Sequence, residues 1–395
     1  MNTTPAIPGR RLLFDDKIPI AKPHLAVPAE LSAEITRVLV SGVLTNGPHT
    51  AALEANVAKH LGAKHAIAVS SATAGLMLTF RALELSGDVV VPSFTFMATA
   101  GALVWCGLRP VFADIDLHTA NLDPAVAEAT ITKNTTAIVA VHNSGNPADI
   151  EQLVSLAKRY HLRIVFDAAH AFGSLYQGMP VGQQGDAQVF SLTPTKLVTG
   201  GEGGIVVTAD DQVAERVRVG RNYGNRGDYN SDFAGLSARL PEVNALIADY
   251  SLRGLEEAAQ HRNHIATLYR ERLGKLPGID FQKVRAGDRS SFKDFSIVID
   301  ADNFGLSRNQ LAAALAAENI ETRTYYDPPV HRQKAYQSCA PPDRSLLNTD
   351  LLSNTILNLP IWSDMPETIA HRVCLAVEGA HALGDAICSR EATSV

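Results

Sequence analysis

A lone lysine, Lys196, lies in an unusual setting between two apolar runs of the chain. Residues 187–208 read AQVFSLTPTKLVTGGEGGIVVT, with threonines before the lysine and glycines after it. Lysines usually occupy solvated surfaces. An amine that is desolvated among small residues has a lowered pKa and becomes nucleophilic, which Schiff-base chemistry with an aldehyde requires. We therefore predict that Lys196 forms a covalent link to a carbonyl group of a ligand.

Other candidate groups follow apolar runs at the points where those runs end. They are Ser71, Ala72 and Thr73 after residues 66–69, Phe94 and Phe96 after residues 89–91, Asp167 and His170 at the end of residues 163–167, and Ser191 within residues 187–192. In an open parallel sheet, ligands bind outside the carboxyl ends of the strands. The topology is therefore expected to gather these groups on one rim with Lys196.

Each of these groups, taken alone, has a purely structural alternative. Ser71 or Thr73 could cap a helix, and Asp167 could do the same for a helix that follows it. The two phenylalanines could belong to the core. His170 could be an interior histidine with ordinary hydrogen-bond partners. These alternatives stay open at the level of single residues.

Together the groups match one ligand, pyridoxal 5′-phosphate (PLP). Small residues at a helix start suit its phosphate, a phenyl face suits its ring, and a lysine amine reaches its aldehyde. PLP enzymes pair this Schiff-base lysine with an acidic partner for the pyridinium nitrogen. An ionised Asp167 would hold that nitrogen protonated and make the ring an electron sink.

The elements that must position these groups alternate between apolar runs and amphipathic segments. The runs are residues 66–69, 89–91, 110–115, 137–142, 163–167, 187–192 and 204–208. This alternation predicts an α/β fold with a mostly parallel seven-stranded sheet covered on both faces. Only residues 193–202 separate the last two runs, and a parallel crossover needs about a dozen or more residues. The seventh strand is therefore predicted to be antiparallel, with Lys196 in the connection.

The character of the sequence changes after the sheet region. One long helix is predicted from Pro241 to about Leu276, followed by a β-like run at 295–299 and a helix at 307–318 opened by Ser307. A smaller α/β domain is therefore expected at the C-terminus. The predicted division is an N-terminal arm at 1–25 that packs on the small domain, a large PLP-binding domain at 26–265, and a small domain at 266–395.

Composition excludes several classes of function. The 395 residues carry a net charge of −6 and 46% hydrophobic residues, which fits a globular protein and gives no basic face for nucleic acid. No apolar run is long enough to span a bilayer, and the first residues lack a secretory signal. The four scattered cysteines show no zinc spacing, so no metal site is expected. The sequence favours a cytoplasmic protein.

Eight segments, in order along nearly the whole chain, resemble the DegT/DnrJ/StrS family of sugar-nucleotide aminotransferases. They are SGVLTNGP (41–48), VSSATAGL (69–76), VPSFTFMATA (91–100), PVFADID (110–116), FDAAHAFGS (166–174), FSLTPTKLVTGGEGGIVVT (190–208), YYDPPVHRQKAY (325–336) and LPIW (359–362). The resemblance implies PLP-dependent transferase fold type I, the aspartate aminotransferase-like fold. It also implies a homodimer with shared active sites.

The resemblance implies a role for each matching residue. Lys196 would form the Schiff base, Asp167 would bind the pyridine nitrogen, Phe96 would stack on the ring, His170 would lie beside the cofactor, and Ser71, Ala72, Thr73 and Ser191 would hold the phosphate. Two positions depart from the family pattern. Ser237 stands where relatives usually carry an asparagine that reaches the neighbouring subunit's phosphate, and Val43 stands where a tryptophan is common.

The implied activity moves an amino group from L-glutamate to a keto sugar nucleotide in deoxyaminosugar biosynthesis. Within the family, the sequence around SATAGL, GLRPVFADID and FDAAHAFGS most resembles that of dTDP-4-keto-6-deoxyglucose C-4 aminotransferases. Predicted substrate contacts are Val43, His142, Asn143, Tyr325 and His331, although His331 could equally bond the backbone. Three alternatives remain: a PLP-dependent sugar dehydratase, whose relatives carry histidine at the position of Lys196, an aminotransferase for another ketosugar or a cyclitol, and a non-catalytic PLP-binding regulator.

Overall fold

The computed structural model describes residues 12–25, 28–339 and 346–384. The strands are β1 (His65–Val69), β2 (Asp88–Pro92), β3 (Arg109–Ala113), β4 (Thr135–Val141), β5 (Arg163–Asp167), β6 (Leu175–Tyr176), β7 (Met179–Pro180), β8 (Ala187–Ser191), β9 (Gly204–Thr208), β10 (Ile279–Phe281), β11 (Phe295–Ile299) and β12 (Ile356–Leu359). The helices are α1 (Ala29–Ser41), α2 (Pro48–Leu61), α3 (Ala72–Ala82), α4 (Met97–Trp105), α5 (Pro124–Thr130), α6 (Ile150–Arg159), α7 (Asp211–Gly220), α8 (Glu242–Arg253), α9 (Leu255–Leu273), α10 (Ala301–Phe304), α11 (Arg308–Ala317), α12 (Leu347–Thr355) and α13 (Glu367–Ala382).

All seven predicted strands lie in one sheet, whose order is β1-β9-β8-β5-β4-β2-β3. The central strands β3, β2, β4, β5 and β8 pair in parallel. Strand β9 runs antiparallel to both β8 and β1, which confirms the prediction from its short connection. That connection folds back on itself because Leu192 bonds through its backbone to Gly200 and Gly203.

Both faces of the sheet are covered, as the continuous apolar strands predict. Within β1, Ala66 and Ala68 contribute to one hydrophobic core, whereas Ile67 and Val69 contribute to the core on the opposite face. The alternation of side chains along a strand explains this division. The sheet is therefore a middle layer between two layers of helices, and its carboxyl edge is left to form a site.

The prediction of one long helix from Pro241 to Leu276 is wrong at its centre. The segment forms two helices, α8 and α9, which are separated at Gly254. Gly254 donates its N–H to the carbonyl of Ser251, a tighter bond than the α-helical pattern uses. Glycine is among the least favourable residues in a helix interior, so the chain changes direction there. The predicted helix at 307–318 is present as α11.

The C-terminal part is built on a second sheet of order β10-β11-β12, in which all pairs are antiparallel. Phe14 and Ile18 pack into its core, and Ile18 bonds to the backbone of Asn319. Residues 12–25 therefore lie against this part of the chain, while the rest of the predicted arm, residues 1–11, lies outside the described residues.

Helix α9 serves both halves of the molecule. Leu255 and Ala259 pack into a core of the large sheet, whereas Ile265 and Tyr269 pack into the core of the small sheet. The predicted domain boundary after residue 265 falls inside this helix, and the division into domains stays a prediction.

Within residues 12–25, 28–339 and 346–384, no helix combines the length and apolar character needed to cross a membrane. The same described part contains no group of three or more His, Cys, Asp or Glu side chains placed to hold a metal ion.

Candidate active site

A cavity of about 350 Å³ lies at the carboxyl edge of the large sheet. Nine residues predicted from the sequence line it, namely Ser71, Ala72, Thr73, Phe96, Asp167, His170, Ser191, Lys196 and Tyr325. All of them except Tyr325 end or follow strands of the large sheet that are distant in sequence. The rule that ligands bind outside the carboxyl ends of parallel strands therefore locates this pocket.

Lys196 lies in the short connection between β8 and β9, where its backbone N–H bonds to the carbonyl of Thr193. Desolvation of the amine lowers the pKa of Lys196 to about 7. The positive charge of Lys293 acts in the same direction, while Asp294 and Asp167 oppose the shift. A substantial fraction of this amine is therefore neutral and nucleophilic near neutral pH.

Asp167 ends β5 and is 6% exposed. Its carboxylate accepts hydrogen bonds from Thr99 Oγ1 at 2.8 Å and from the N–H of Ala169 at 3.1 Å. Burial raises the pKa of Asp167, and these bonds and Lys196 only partly offset that effect. No helix starts directly after β5, so Asp167 is not a helix cap. A cationic partner would stabilise its ionised form.

His170 follows β5 and reaches the same pocket. Its Nδ1 atom has no hydrogen-bond partner among the described residues. Burial lowers the pKa of His170 well below its usual value, and the nearby charges of Lys196 and Lys293 act in the same direction. The imidazole is therefore neutral, and its unpaired nitrogen makes it a group that a ligand can satisfy.

Helix α3 begins at the pocket with a cradle of small residues. Ser71 caps it, because its side chain accepts from the N–H of Ala74. Backbone N–H groups in a first turn lack intrahelical acceptors, so those of Ala72 and Thr73 are available to an anion. Gly204 of β9 packs so closely that a Cβ atom there would lie 2.6 Å from the nitrogen of Ala72. The cradle is thus shaped to approach a phosphate closely.

The two phenylalanines after β2 have different environments. Phe94 is 1% exposed and packs edge-on against Tyr326, with 5.5 Å between ring centroids. Phe96 is 53% exposed and lines the pocket. The core alternative is therefore correct for Phe94, whereas Phe96 is free to contact a ligand.

Three predicted substrate residues do not line this pocket. His142 is buried and stacks on Phe166, with 5.1 Å between ring centroids. Asn143 donates to the carbonyl of Ala120 and lines a separate cavity of about 420 Å³. His331 binds Ser93 Oγ through Nδ1 at 2.6 Å. Their proposed contacts with substrate stay predictions, and each has a structural role within the chain.

Ser237 and Val43 also lie outside the pocket of their own chain. Ser237 accepts a hydrogen bond from Arg239 at 3.2 Å, and Val43 is 47% exposed after α1. Ser237 was expected to act at a subunit interface, which a single chain does not contain, and the predicted contact of Val43 with substrate stays a prediction.

The sequence reasoning missed a wall of the pocket that the C-terminal part contributes. Lys293, Asp294 and Tyr326 line the cavity there. Lys293 and Asp294 form an ion pair of 2.7 Å, and their side chains are 7% and 5% exposed. The sequence signal was the Lys293-Asp294 pair directly before the apolar run at 295–299. A charged pair next to a buried strand could have indicated a polar site there.

The chemical groups that line the pocket match the chemical groups of PLP. It combines a phosphate cradle at α3, an exposed phenyl face, a buried carboxylate and a desolvated lysine amine in one cavity. Each corresponds to one chemical group of that cofactor, and the unpaired nitrogen of His170 supplies a further contact.

Comparison with known proteins agrees with this chemistry. The model of the DegT/DnrJ/EryC1/StrS aminotransferase family matches residues 27–378. The crystal structure of DesI, determined in the presence of its TDP-sugar product, is 35% identical with a TM-score of 0.91 and covers 97% of both chains. S. venezuelae DesV, in complex with a ketimine intermediate, is 34% identical with a TM-score of 0.87, and the match covers 93% of this chain and 99% of that one.

A more distant relative is PseC of Helicobacter pylori, an aminotransferase involved in the biosynthesis of pseudoaminic acid. It is 27% identical with a TM-score of 0.85, and the match covers 92% of this chain and 100% of that one. The family match and the site lead to one conclusion: the chain belongs to the DegT/DnrJ/EryC1/StrS aminotransferase family and is a PLP-dependent aminotransferase of fold type I.

Proposed function

We propose that this sugar aminotransferase transfers the amino group of L-glutamate to a dTDP-4-keto-6-deoxyhexose. The observation that carries the proposal is the joint placement of Lys196 and Asp167 in one pocket. The substrate class is supported by the similarity to DesI, whose structure was determined with its TDP-sugar product. The reaction belongs to deoxyaminosugar biosynthesis.

Each part of the cofactor would be bound by different residues of the pocket. The amine of Lys196 would hold the aldehyde, and Asp167 would bind the ring nitrogen. The start of α3 would hold the phosphate together with Ser191, and Phe96 would contact the ring. When bound, PLP supplies an electron sink that stabilises negative charge on the carbon bearing the amine.

Lys196 is also the base of the reaction. Nζ of Lys196 would take the proton from the Cα of the amino donor. In the second half-reaction the same atom would return a proton to the acceptor carbon that gains the amine, whose former carbonyl oxygen leaves as water. A pKa of about 7 suits both directions, because the group can hold or release a proton near neutral pH.

The substrate is tested by mass detection of amine transfer from L-glutamate to a panel of acceptors. The panel should contain 4-keto-6-deoxyhexoses on dTDP, UDP and GDP, a 3-keto isomer, and a ketocyclitol. We expect the dTDP-4-keto sugar to give the largest kcat/KM. A greater value for another acceptor would overturn the substrate, and loss of the sugar hydroxyl without gain of an amine would indicate the dehydratase alternative.

We also propose a homodimer with shared active sites. Exposed apolar side chains support an interface, since Phe96 and Met97 lie beside the pocket and Trp105, at the end of the same helix α4, is 81% exposed. Contiguous exposed apolar patches mark surfaces that bind a partner, and these side chains at helix α4 are candidates for such a patch. In such a dimer, a second copy of the chain would bring Ser237 to the neighbouring pocket, as the family resemblance implies.

Subunit complementation tests the shared site. Lys196→Ala chains and Ser237→Trp chains are each expected to lose activity as homodimers. Mixed dimers should regain activity, because one site then combines an intact lysine with an intact serine from the other chain. Persistent inactivity of mixed dimers, or full activity of Ser237→Trp alone, would contradict the proposal.

For location we propose the cytoplasm, a reducing compartment. Cys106, Cys339 and Cys374 are free thiols in the described part of the chain, which suits such a compartment. Fractionation of the native cells is the direct measurement, and recovery of the protein in a membrane or secreted fraction would contradict it.

A further inference from the structure

Two cationic side chains line the pocket among the described residues, those of Lys196 and Lys293. Lys196 is occupied by its covalent and proton-transfer roles in the proposed function. Lys293 is therefore the positive charge that remains for an anionic group of a substrate. It is carried by the C-terminal part of the chain, directly before β11.

The ammonium of Lys293 has unused bonding capacity. Its Nζ donates to Asp294 at 2.7 Å and lies 5.5 Å from the centroid of the Tyr325 ring, which also lines the pocket. An ammonium has three N–H donors. Among the described residues its one hydrogen bond is to Asp294, which leaves two donors for a ligand that enters the cavity.

Asp294 alone does not neutralise the positive charges around Lys293, because it also interacts electrostatically with the guanidinium of Arg262. Arg262 is 1% exposed; burial lowers the pKa of Arg262 to about 10, and the charge of Asp294 opposes that shift. The three groups together carry one excess positive charge. Asp364 also opposes the shift, but it is 45% exposed and screened by water. An anionic ligand would lower the free energy of this buried charge.

Backbone contacts fix Lys293 relative to the catalytic wall. Its N–H bonds to the carbonyl of Ser144 at 3.0 Å, and its carbonyl accepts from Arg262 Nη1 at 3.1 Å. The neighbouring Ser291 hydroxyl bonds to the carbonyl of His170 at 2.7 Å. The loop that carries Lys293 is thus attached to loops of the large sheet beside Lys196.

We propose that Lys293 binds the α-carboxylate of the amino donor, with Asp294 as the residue that positions it. The inference rests on the proposed function and names a specific contact within it. In an α-amino acid, the carboxylate, the amine and the transferred proton share one carbon. A cation that lines the same pocket as Lys196 and holds the carboxylate would therefore help to orient the Cα–H bond toward the base.

The test compares donors in which one carboxylate is replaced by a carboxamide. L-isoglutamine lacks the α-carboxylate, and L-glutamine lacks the γ-carboxylate. The readout is the absorbance change of the PLP-loaded enzyme as a function of donor concentration, without any sugar. We expect the wild type to prefer L-glutamate over L-isoglutamine by at least about 30-fold, the factor that corresponds to loss of a buried charge pair.

The informative variant is the double substitution Lys293→Met with Asp294→Asn. Removing Lys293 alone would leave the carboxylate of Asp294 buried with one cation fewer, which strongly destabilises proteins. We expect the double variant to lose the discrimination against L-isoglutamine, whereas its response to L-glutamine relative to L-glutamate should match that of the wild type. Lys293→Arg keeps the positive charge and should match the wild type with both donors, and loss of the discrimination against L-glutamine alone in Lys293→Arg would contradict the inference.

Lys283→Met is the matched control, since Lys283 is an exposed lysine nearby in the sequence, and it should behave as the wild type. Calorimetric binding of 2-oxoglutarate to the loaded enzyme gives a readout independent of turnover and should weaken only in the double variant. Retained discrimination against L-isoglutamine in that variant would overturn the inference. If no amino acid changes the wild-type spectrum, the proposed function fails first and the inference with it.

Discussion

Two buried carboxylates in different regions of the molecule differ in how many hydrogen bonds the chain donates to them. Glu242, at the start of α8, is fully buried and joins that helix to the start of α2. It accepts hydrogen bonds from the N–H groups of Gly47, His49 and Thr50 and from the hydroxyl of Thr50. Asp167, in the pocket, accepts two hydrogen bonds from the residues that the structure describes.

The protonation equilibria show the result of this difference. Burial raises the pKa of Asp167 more than its two bonds lower it. Burial also acts to raise the pKa of Glu242, but there the hydrogen bonds together prevail and the pKa is lowered. A carboxylate that accepts four hydrogen bonds from the chain stabilises the fold, whereas one with fewer bonds that faces a cavity has acceptor capacity left for a ligand.

The largest effect is expected from Lys196→Ala, which removes the buried amine of the pocket whose pKa is lowered to about 7. Transamination should fall by at least about 10³-fold, because the variant loses both the covalent anchor and the base. Turnover with L-glutamate and the best acceptor measures the loss, and circular dichroism should show an unchanged fold. Substantial remaining turnover would remove Lys196 from the mechanism.

Asp167→Asn sharpens the comparison within the pocket. Turnover is expected to fall by about 10²-fold, because the neutral amide no longer stabilises a charge that develops in the reaction. Without cofactor, the variant should be at least as stable to urea as the wild type, since a carboxylate with a raised pKa is removed from the interior. A clear loss of cofactor-free stability would make Asp167 a structural residue like Glu242.

Glu242→Ala is the corresponding change at the helix join. It leaves several N–H groups without an acceptor and should lower the free energy of unfolding by about 3 kcal/mol. Glu242→Gln should cost less, because most of the bonds use Oε1, which the amide retains. Urea unfolding measures both, and turnover per folded molecule should be unchanged. Equal costs for the two variants would contradict the hydrogen-bond explanation.

The smallest effect is the pH dependence of cofactor-free stability that Lys196 contributes. The pKa of its amine is about 7 in the folded chain and 10.5 as the ordinary value. Between these values the unfolded chain holds a proton that the folded chain has lost, so stability rises with pH. The deficit of the wild type relative to Lys196→Met should therefore shrink from pH 7 toward pH 10. A constant deficit would show that the amine is not desolvated.

The sequence was sufficient to predict the strands of the large sheet and the residues of one wall of the pocket. Each predicted strand lies within two residues of its observed ends, and the rule for parallel strand ends brought Asp167 and Lys196 together. Asp167 and Lys196 could be found because their positions depend on topology alone.

The other wall could not be predicted in the same way. Lys293 precedes a strand of an antiparallel sheet, where successive strand ends alternate between edges and no rule gathers side chains. Phe94 and Phe96 are two residues apart, and only the packing of Tyr326 against Phe94 separates core from ligand surface. The break at Gly254 was missed because the apolar pattern continues on both sides of it.

The place of β9 in the sheet has a consequence for synthesis on the ribosome. Strand β1 is at the edge of the sheet and pairs only with β9, which is translated long after the helices α3 to α6 that come between them. Gly204, which packs against the start of α3, arrives with that same strand. The emerging chain thus cannot complete the packing at the start of α3 until β9 has left the exit tunnel, and we expect the proposed phosphate cradle to form no earlier than the last strand of the large sheet.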